Sequence, residues 1–292
     1  MTKFIRVCFA TVILLAAVCM PLFAGQDIIA AKVSQGPVID GAAEDPAWAR
    51  CQAHVTHDTV AGIDITLRAA YTDRQIFFLV QFPDPDESRR HKYWAWNEDL
   101  KLYENGPERE DVFVFKWSMA GNQIDLGLRS DTGHTADIWF WKANRTDPAG
   151  VADDKIQTLA FVQKPKTQPV TSQSGRTAYL SRRGDEGRSA YQPVIQVDYQ
   201  GDRVPQFENR PPSGSRADVQ ARGVWKDGQW TIEFSRKLAT GHPDDVRLDP
   251  SETFLFGVSR YEIAGRRENP ALSQPKYGSG DISEPLMLVF GN

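Results

Sequence analysis

The stretch from Gly133 to Arg145 gathers the side chains with the most chemical reach. Trp139, Phe140 and Trp141 follow one another, with His134 before them and Lys142 and Arg145 after. Flat aromatic faces can wall a planar ligand, an imidazole can bind a metal, and a lysine or arginine can pair with a ligand carboxylate. Methionine is the other informative residue, because it is scarce. Met1 and Met20 belong to an apolar N-terminal segment, which leaves Met119 and Met287. Met287 sits in a terminal apolar run and suits core packing. Met119 ends a strand beside Ala120-Gly121, one connection away from the tryptophans. A soft thioether beside small residues and aromatics has the chemistry of a haem-iron ligand, and packing is the other common use of such a residue.

These side chains must be positioned by strands. At a period of two, Ile138 and Phe140 face one way and Trp139 and Trp141 the other, so both faces are apolar. That predicts a strand buried on both sides, in a sandwich core or beneath a flat ligand. Asp64 to Tyr71 alternates, with Ile65, Leu67 and Ala69 on one face, and Ile76 to Phe82 returns after a turn at residues 72–75. Asp111 to Trp117 is another strand. Asp218–Trp225 and Gln229–Arg236 form a hairpin around Lys226-Asp227-Gly228, and Phe254–Tyr261 and Leu286–Phe290 complete the set. Val38–Gly41 reads as a short strand, and Asp45-Pro46-Ala47-Trp48 as a helical start. Ser88–Glu110 reads as polar and irregular. Long helical periodicity is absent, so the expected fold is an all-β antiparallel β-sandwich with long loops and a few short helices.

Lys3 and Arg6 precede an apolar run from Val7 to Phe23, closed by Ala24, which is the pattern of a secretory signal. Residues 1–24 are therefore expected to be cleaved and the protein to be periplasmic, with no later membrane span. Residues 25–292 read as a single domain, with a long excursion at about 144–216 rich in Pro, Gly, Ser, Gln and Arg and a strand expected at Val194–Val197. Loss of Lys3 and Arg6 moves the formal charge from −4 to −6. With no basic block, nucleic acid is excluded as a partner class. Of the 3 cysteines, Cys8 and Cys19 leave with the signal. No intrachain disulfide and no Cys-x-x-Cys-His haem attachment is then possible. Nucleophile-elbow, phosphate-loop and zinc-helix patterns are missing, so no catalytic constellation is expected. The pairs Asp153-Asp154 and Asp244-Asp245 have the composition of paired catalytic carboxylates or calcium ligands, but doublets of this kind usually sit in solvated turns. The five histidines show no metal-site spacing.

A set of short motifs in order makes the chain resemble a known family. They are Ile39-Asp40-Gly41 with Asp45-Pro46-Ala47-Trp48, the Ile76–Phe82 strand leading to Pro83-Asp84, and Glu110-Asp111 opening the strand that ends near Met119. Asp137 to Ala143, Asp218 to Trp225, Asp227-Gly228-Gln229-Trp230-Thr231 and Ser235-Arg236-Lys237-Leu238 follow. Together they resemble the ethylbenzene dehydrogenase-related, DMSO-reductase-type haem-binding family, which includes the haem b subunits of periplasmic molybdenum enzymes. The resemblance implies a β-sandwich holding one non-covalent haem b between a methionine and a lysine. By position these are Met119 and Lys276, with His134 as the rival to the lysine. Trp139 and Trp141 would be pocket walls, and Lys142 or Arg145 would pair with propionates. The implied role is electron transfer with a redox partner, including molybdenum and iron–sulfur subunits. A carbohydrate-binding module is the alternative, because related sandwiches open with the same Asp-Gly and Asp-Pro-Ala-Trp signature.

The export expectation has a direct check. N-terminal sequencing of the exported protein should begin near Gly25, and an intact Met1 form in the membrane fraction would contradict it.

Overall fold

The computed structural model describes residues 26–59, 61–261 and 281–291. Its main sheet has 13 strands. One half runs, in spatial order, Gln168–Thr171, Thr177–Gly184, Asp153–Ala160, His134–Lys142, Val112–Ser118, Phe254–Tyr261 and Leu286–Phe290. The other half continues through Gln26–Lys32, Ile63–Tyr71, Gln75–Pro83, Gln229–Lys237 and Gln220–Lys226, with His54–Asp58 added against Ile63–Tyr71. The two halves face each other as a β-sandwich, and Phe78 of one meets Phe115, Trp117 and Trp139 of the other. The expected all-β class is found. The pairing is antiparallel except at Gln26–Lys32, which runs parallel to both of its neighbours and joins the halves. No sequence signal had marked that strand.

Alternation explains the core. Phe113, Phe115 and Trp117 point inward with Trp139, Trp141 and Phe256, and meet Phe78, Val80, Phe82, Trp230, Ile232 and Phe234. An aromatic side chain buries about 150–250 Å², worth roughly 4–6 kcal/mol at about 25 cal/mol/Å². On the outer face, Val112, Val114 and Ile138 are covered by Ile124, Leu126 and Ile282. This cover is why the aromatic strand is apolar on both sides. On the opposite layer Trp48, from the short helix Pro46–Ala49, packs on Phe77 and Leu79. Glu233 fixes that helix: it accepts the Trp48 Nε1 proton at 2.6 Å and the amides of Asp40 and Gly41 at 3.0 and 2.9 Å. Residues 38–41 therefore form a bound loop and not the expected strand.

Between residues 144 and 216 the expectation needs the largest correction. Val194–Val197 is not a strand. Asp153–Ala160, Gln168–Thr171 and Thr177–Gly184 instead extend the main sheet. The polar segment 88–110 also contains two short strands, Trp94–Asn97 and Leu102–Asn105, in a small sheet with Arg203–Val204. The hairpin turn at Asp227-Gly228 has φ of +52° and +80°. That positive pair matches the right-handed twist of the flanking strands.

Gly223 marks a close approach of backbone to core, since an added Cβ would lie 2.4 Å from Trp141 Cζ2. Gly223→Ala should cost about 1–3 kcal/mol through overpacking, read as a lower midpoint in urea unfolding. An unchanged midpoint would show that Trp141 shifts freely.

Candidate functional site

The strand ladder separates the residues that were expected to act together. Val112 pairs with Lys142 and Ser118 with Ala136, so Lys142 and Met119 lie at opposite ends of the Val112–Ser118 strand, roughly 20 Å apart at about 3.3 Å per residue. Trp139 and Trp141 do not wall a pocket. Both have 0% exposure. Trp139 packs on Phe115 and Trp117, and Trp141 packs edge-on to Trp230 while donating Nε1–H to Asp147 at 2.9 Å. They are core residues because the second sheet supplies aromatics to meet them.

Lys142 and Arg145 are also committed. Lys142 is buried, donates to Asp153 Oδ2 at 2.5 Å and to the Tyr191 hydroxyl at 3.1 Å, and lies over the Phe140 and Tyr191 rings. Burial lowers the pKa of Lys142 to about 8, against the pull of Asp153. Burial alone would raise Asp153, but Lys142, Lys155 and Arg216 overcome it and hold the carboxyl well below its ordinary value. Arg145 pairs with buried Glu110 and lies over Tyr191 and Phe207. Both cations are thus paired with carboxylates of the protein itself. His134 is buried on the outer-face parity of Ala136 and Ile138, with Nδ1 3.3 Å from the Thr132 carbonyl and Nε2 without a hydrogen bond. Burial, helped by Lys116, lowers its pKa to about 4.

Met119 is placed differently. Its amide donates to Thr135 O at 3.1 Å, and its half-buried side chain lines a cleft of about 300 Å³ with Ser118, Asn122, Val246, Arg247 and Phe254. That volume is at the lower end for a small-molecule cleft. Lys276 lies outside the described residues.

The floor of this cleft is acidic. Asp245, which lines it, belongs to a buried group with Asp137 and Asp154 whose ligand atoms lie within 4.8 Å of one another. Arg236 crosses the sandwich to Asp137 Oδ2 at 2.6 Å and stacks on Trp139 with its guanidinium 4.8 Å from the ring centroid. Burial raises all three neighbouring acids: Asp154 well above its ordinary value, Asp185 to about 8 and Asp245 to about 6. The expectation of solvated doublets fails for Asp153, Asp154 and Asp245, which are buried. His242 holds Asp218 at 2.5 Å. Strand parity does carry a signal for this cluster. Asp137 shares the inward parity of Trp139 and Trp141, and Arg236 that of Trp230, Ile232 and Phe234, which puts opposite charges inside.

Residues 45–268 match the family described as ethylbenzene dehydrogenase. Among solved structures, a family 9 carbohydrate-binding module from Caldicellulosiruptor kristjanssonii in complex with cellotriose aligns at 11% identity, 91% coverage of this chain and 95% of that one, with a TM-score of 0.39. A putative carbohydrate-binding protein from Bacteroides uniformis aligns at 10% identity, 92% and 100% coverage, with a TM-score of 0.36. No curated protein matches.

His134 gives a pH-dependent test. The folded state resists protonating it, so between pH 6.5 and about 4 the unfolded chain binds a proton that the folded chain does not. His134 should therefore contribute a loss of about 3 kcal/mol as pH drops through that window, opposed by the raised carboxyls of Asp185 and Asp245. Urea unfolding of His134→Gln should show a shallower acid loss than the parent, and parallel curves would place the pH dependence elsewhere.

Proposed function

The chain belongs to the ethylbenzene dehydrogenase family, and from that premise we propose that it is an exported, non-catalytic protein that binds one haem b without a covalent bond and passes single electrons to a partner protein. The observation that carries this reading is the placement of Met119. It lines a cleft, in company with Phe254 and Arg247. These residues fit the group at three points. If haem b bound here, the Met119 thioether would supply a soft iron donor, Phe254 an apolar side chain, and the exposed Arg247 a positive charge for a propionate. They fit without help from Trp139, Trp141, Lys142 or Arg145, whose contacts are spent inside the protein.

A bound haem b would supply a one-electron couple, and a thioether ligand favours its ferrous form. Lys276 is kept as the second ligand in this proposal. A lysine binds iron only as the neutral amine, so its pKa would have to fall far below about 10.4, and bonding to the metal would favour that form. His134 is the weaker rival because its ring lies in the outer-face packing and does not line the cleft. Non-covalent binding follows from the thiols: Cys51 is buried beside Trp48, where burial pushes its pKa up. Molybdenum and iron–sulfur subunits of a periplasmic oxidoreductase are the partners that suit such a carrier. No helix among the described residues is long and apolar enough to cross a membrane.

Sugar binding is a second reading, favoured by one surface. Trp96 lies edge-on to Tyr103 at 5.0 Å and Tyr199 at 5.2 Å, and Tyr199 is 55% exposed. Exposed rings of this kind stack on sugar faces. A haem protein has a Soret band and a sugar-binding module does not.

The full chain from a haem-replete host should show that band, and acid–acetone should strip all of the colour. Met119→Ala should alter the low-spin spectrum and lower the midpoint potential. Haem retained by the denatured polypeptide would defeat the non-covalent reading, and an unchanged spectrum and potential would return Met119 to packing.

A further inference from the structure

Next to the Met119 cleft lies a cluster of acids for which the haem reading has no use. Asp137 comes from the aromatic strand, Asp154 from the strand beside it, Asp245 from the loop after Arg236, and Asp185 from the end of the Thr177–Gly184 strand. Their exposures are 0%, 0%, 7% and 6%. Asp137 Oδ2 is satisfied by Arg236 and by the Val246 amide at 3.0 Å. Asp137 Oδ1, Asp154 Oδ2 and both oxygens of Asp185 have no hydrogen-bond partner. Asp245 has only loose contacts, with Arg236 at 4.0 Å and His242 at 3.9 Å, and Thr240 beside it.

The charges do not balance. Asp153 absorbs Lys142, Lys155 and Arg216, Asp244 is bonded by Ser215 and the Glu186 amide, and Asp218 is held by His242. Among the described residues this leaves Arg236 as the basic side chain bonded directly to the group of four. Buried carboxylates without partners are costly, so this arrangement needs either protons or a cation.

We propose that Asp137, Asp154 and Asp245, completed by Asp185, hold a divalent cation of the calcium class at the foot of the Met119 cleft. Calcium's longer and more flexible coordination suits carboxylates drawn from separate strands and loops. Calcium takes oxygen ligands at about 2.3–2.6 Å, so opposed ligand oxygens stand up to about 5 Å apart, whereas magnesium at about 2.0–2.1 Å draws them closer. The oxygens of Asp137, Asp154 and Asp245 lie within 4.8 Å of one another, which a calcium ion can span. An all-carboxylate set favours a hard cation over zinc or copper. Asp185 adds a further buried carboxylate beside the group. It arrives on a separate segment, is nine-tenths buried, has both oxygens unbonded, and feels the charges of Asp137 and Asp245. Asp245, at the cleft wall, gives the ion a way in. The site joins two strands of the main sheet to two loops and would lock the end of the sandwich that carries Met119.

The test is a thermal melt of the full chain after treatment with EDTA, with calcium added back. The expected result is a melting temperature that rises with calcium concentration and returns on chelation, with a weaker response to magnesium. Asp154→Asn and Asp185→Asn should lose most of that response, while Asp64→Asn, at an exposed pair with His57, should keep it. Terbium provides a measurement that needs no variant. Trp139 lies opposite Asp154 in the ladder, so tryptophan excitation should sensitise terbium emission that calcium quenches by competition. A melting temperature indifferent to calcium and EDTA, together with stability that rises on acidification, would show that protons neutralise the cluster and would overturn the proposal. A calcium response retained in both asparagine variants would also overturn it.

Discussion

Asp137 and Arg236 meet between the two halves of the sheet with no solvent contact, at 2.6 Å, and the organisation of the sandwich depends on that pair. Arg236 lies on the inward row of Trp230, Ile232 and Phe234, and Asp137 on that of Trp139 and Trp141. The aromatic core ends where these charges begin. Removing either partner would leave a buried charge unpaired, at a cost of about 3–5 kcal/mol. The stacking of Arg236 on Trp139 couples the last layer of the core to the first polar layer. Asp154 and Asp245 are then drawn to the same guanidinium, which sets the floor of the Met119 cleft.

The two ends of the sandwich consequently do different work. At the Lys142 end, Asp153 with Lys142, Lys155 and Arg216, and Glu110 with Arg145, are mutually satisfied. Such networks tie the 144–216 region to the sheet, with these cations and carboxylates bonded to one another. At the Met119 end, a soft donor lines a cleft and several carboxylate oxygens lack partners. Polar groups left unsatisfied in a buried place are the features that invite a ligand.

The sequence revealed much of the fold because alternation is a local property. Ile63–Tyr71, Gln75–Pro83, the Gln229 hairpin and the aromatic strand were all visible from their own residues. Gln26–Lys32 was not, since its burial depends on two parallel neighbours distant in sequence. Strands Asp153–Ala160 and Thr177–Gly184 were hidden by polar residues such as Asp153, Gln157 and Arg182, whose partners come from elsewhere in the fold. The same blindness affected the site. Trp139 and Trp141 looked like ligand walls because nothing local revealed Phe78, Phe115 and Trp230 opposite them. Met119 stood out by scarcity and lines the cleft. Asp154 and Asp245 were discounted because a doublet's burial is a tertiary property.

The central claim is that the Met119 cleft is where the haem iron sits. The direct measurement is an anomalous-scattering map at the iron edge from crystals of the haem-loaded full chain. The account predicts one iron peak within bonding distance of the Met119 sulfur, beside Phe254 and Arg247. An iron peak among the Tyr191, Lys142 and Arg145 side chains, or one ligated by His134 with Met119 turned away, would contradict it.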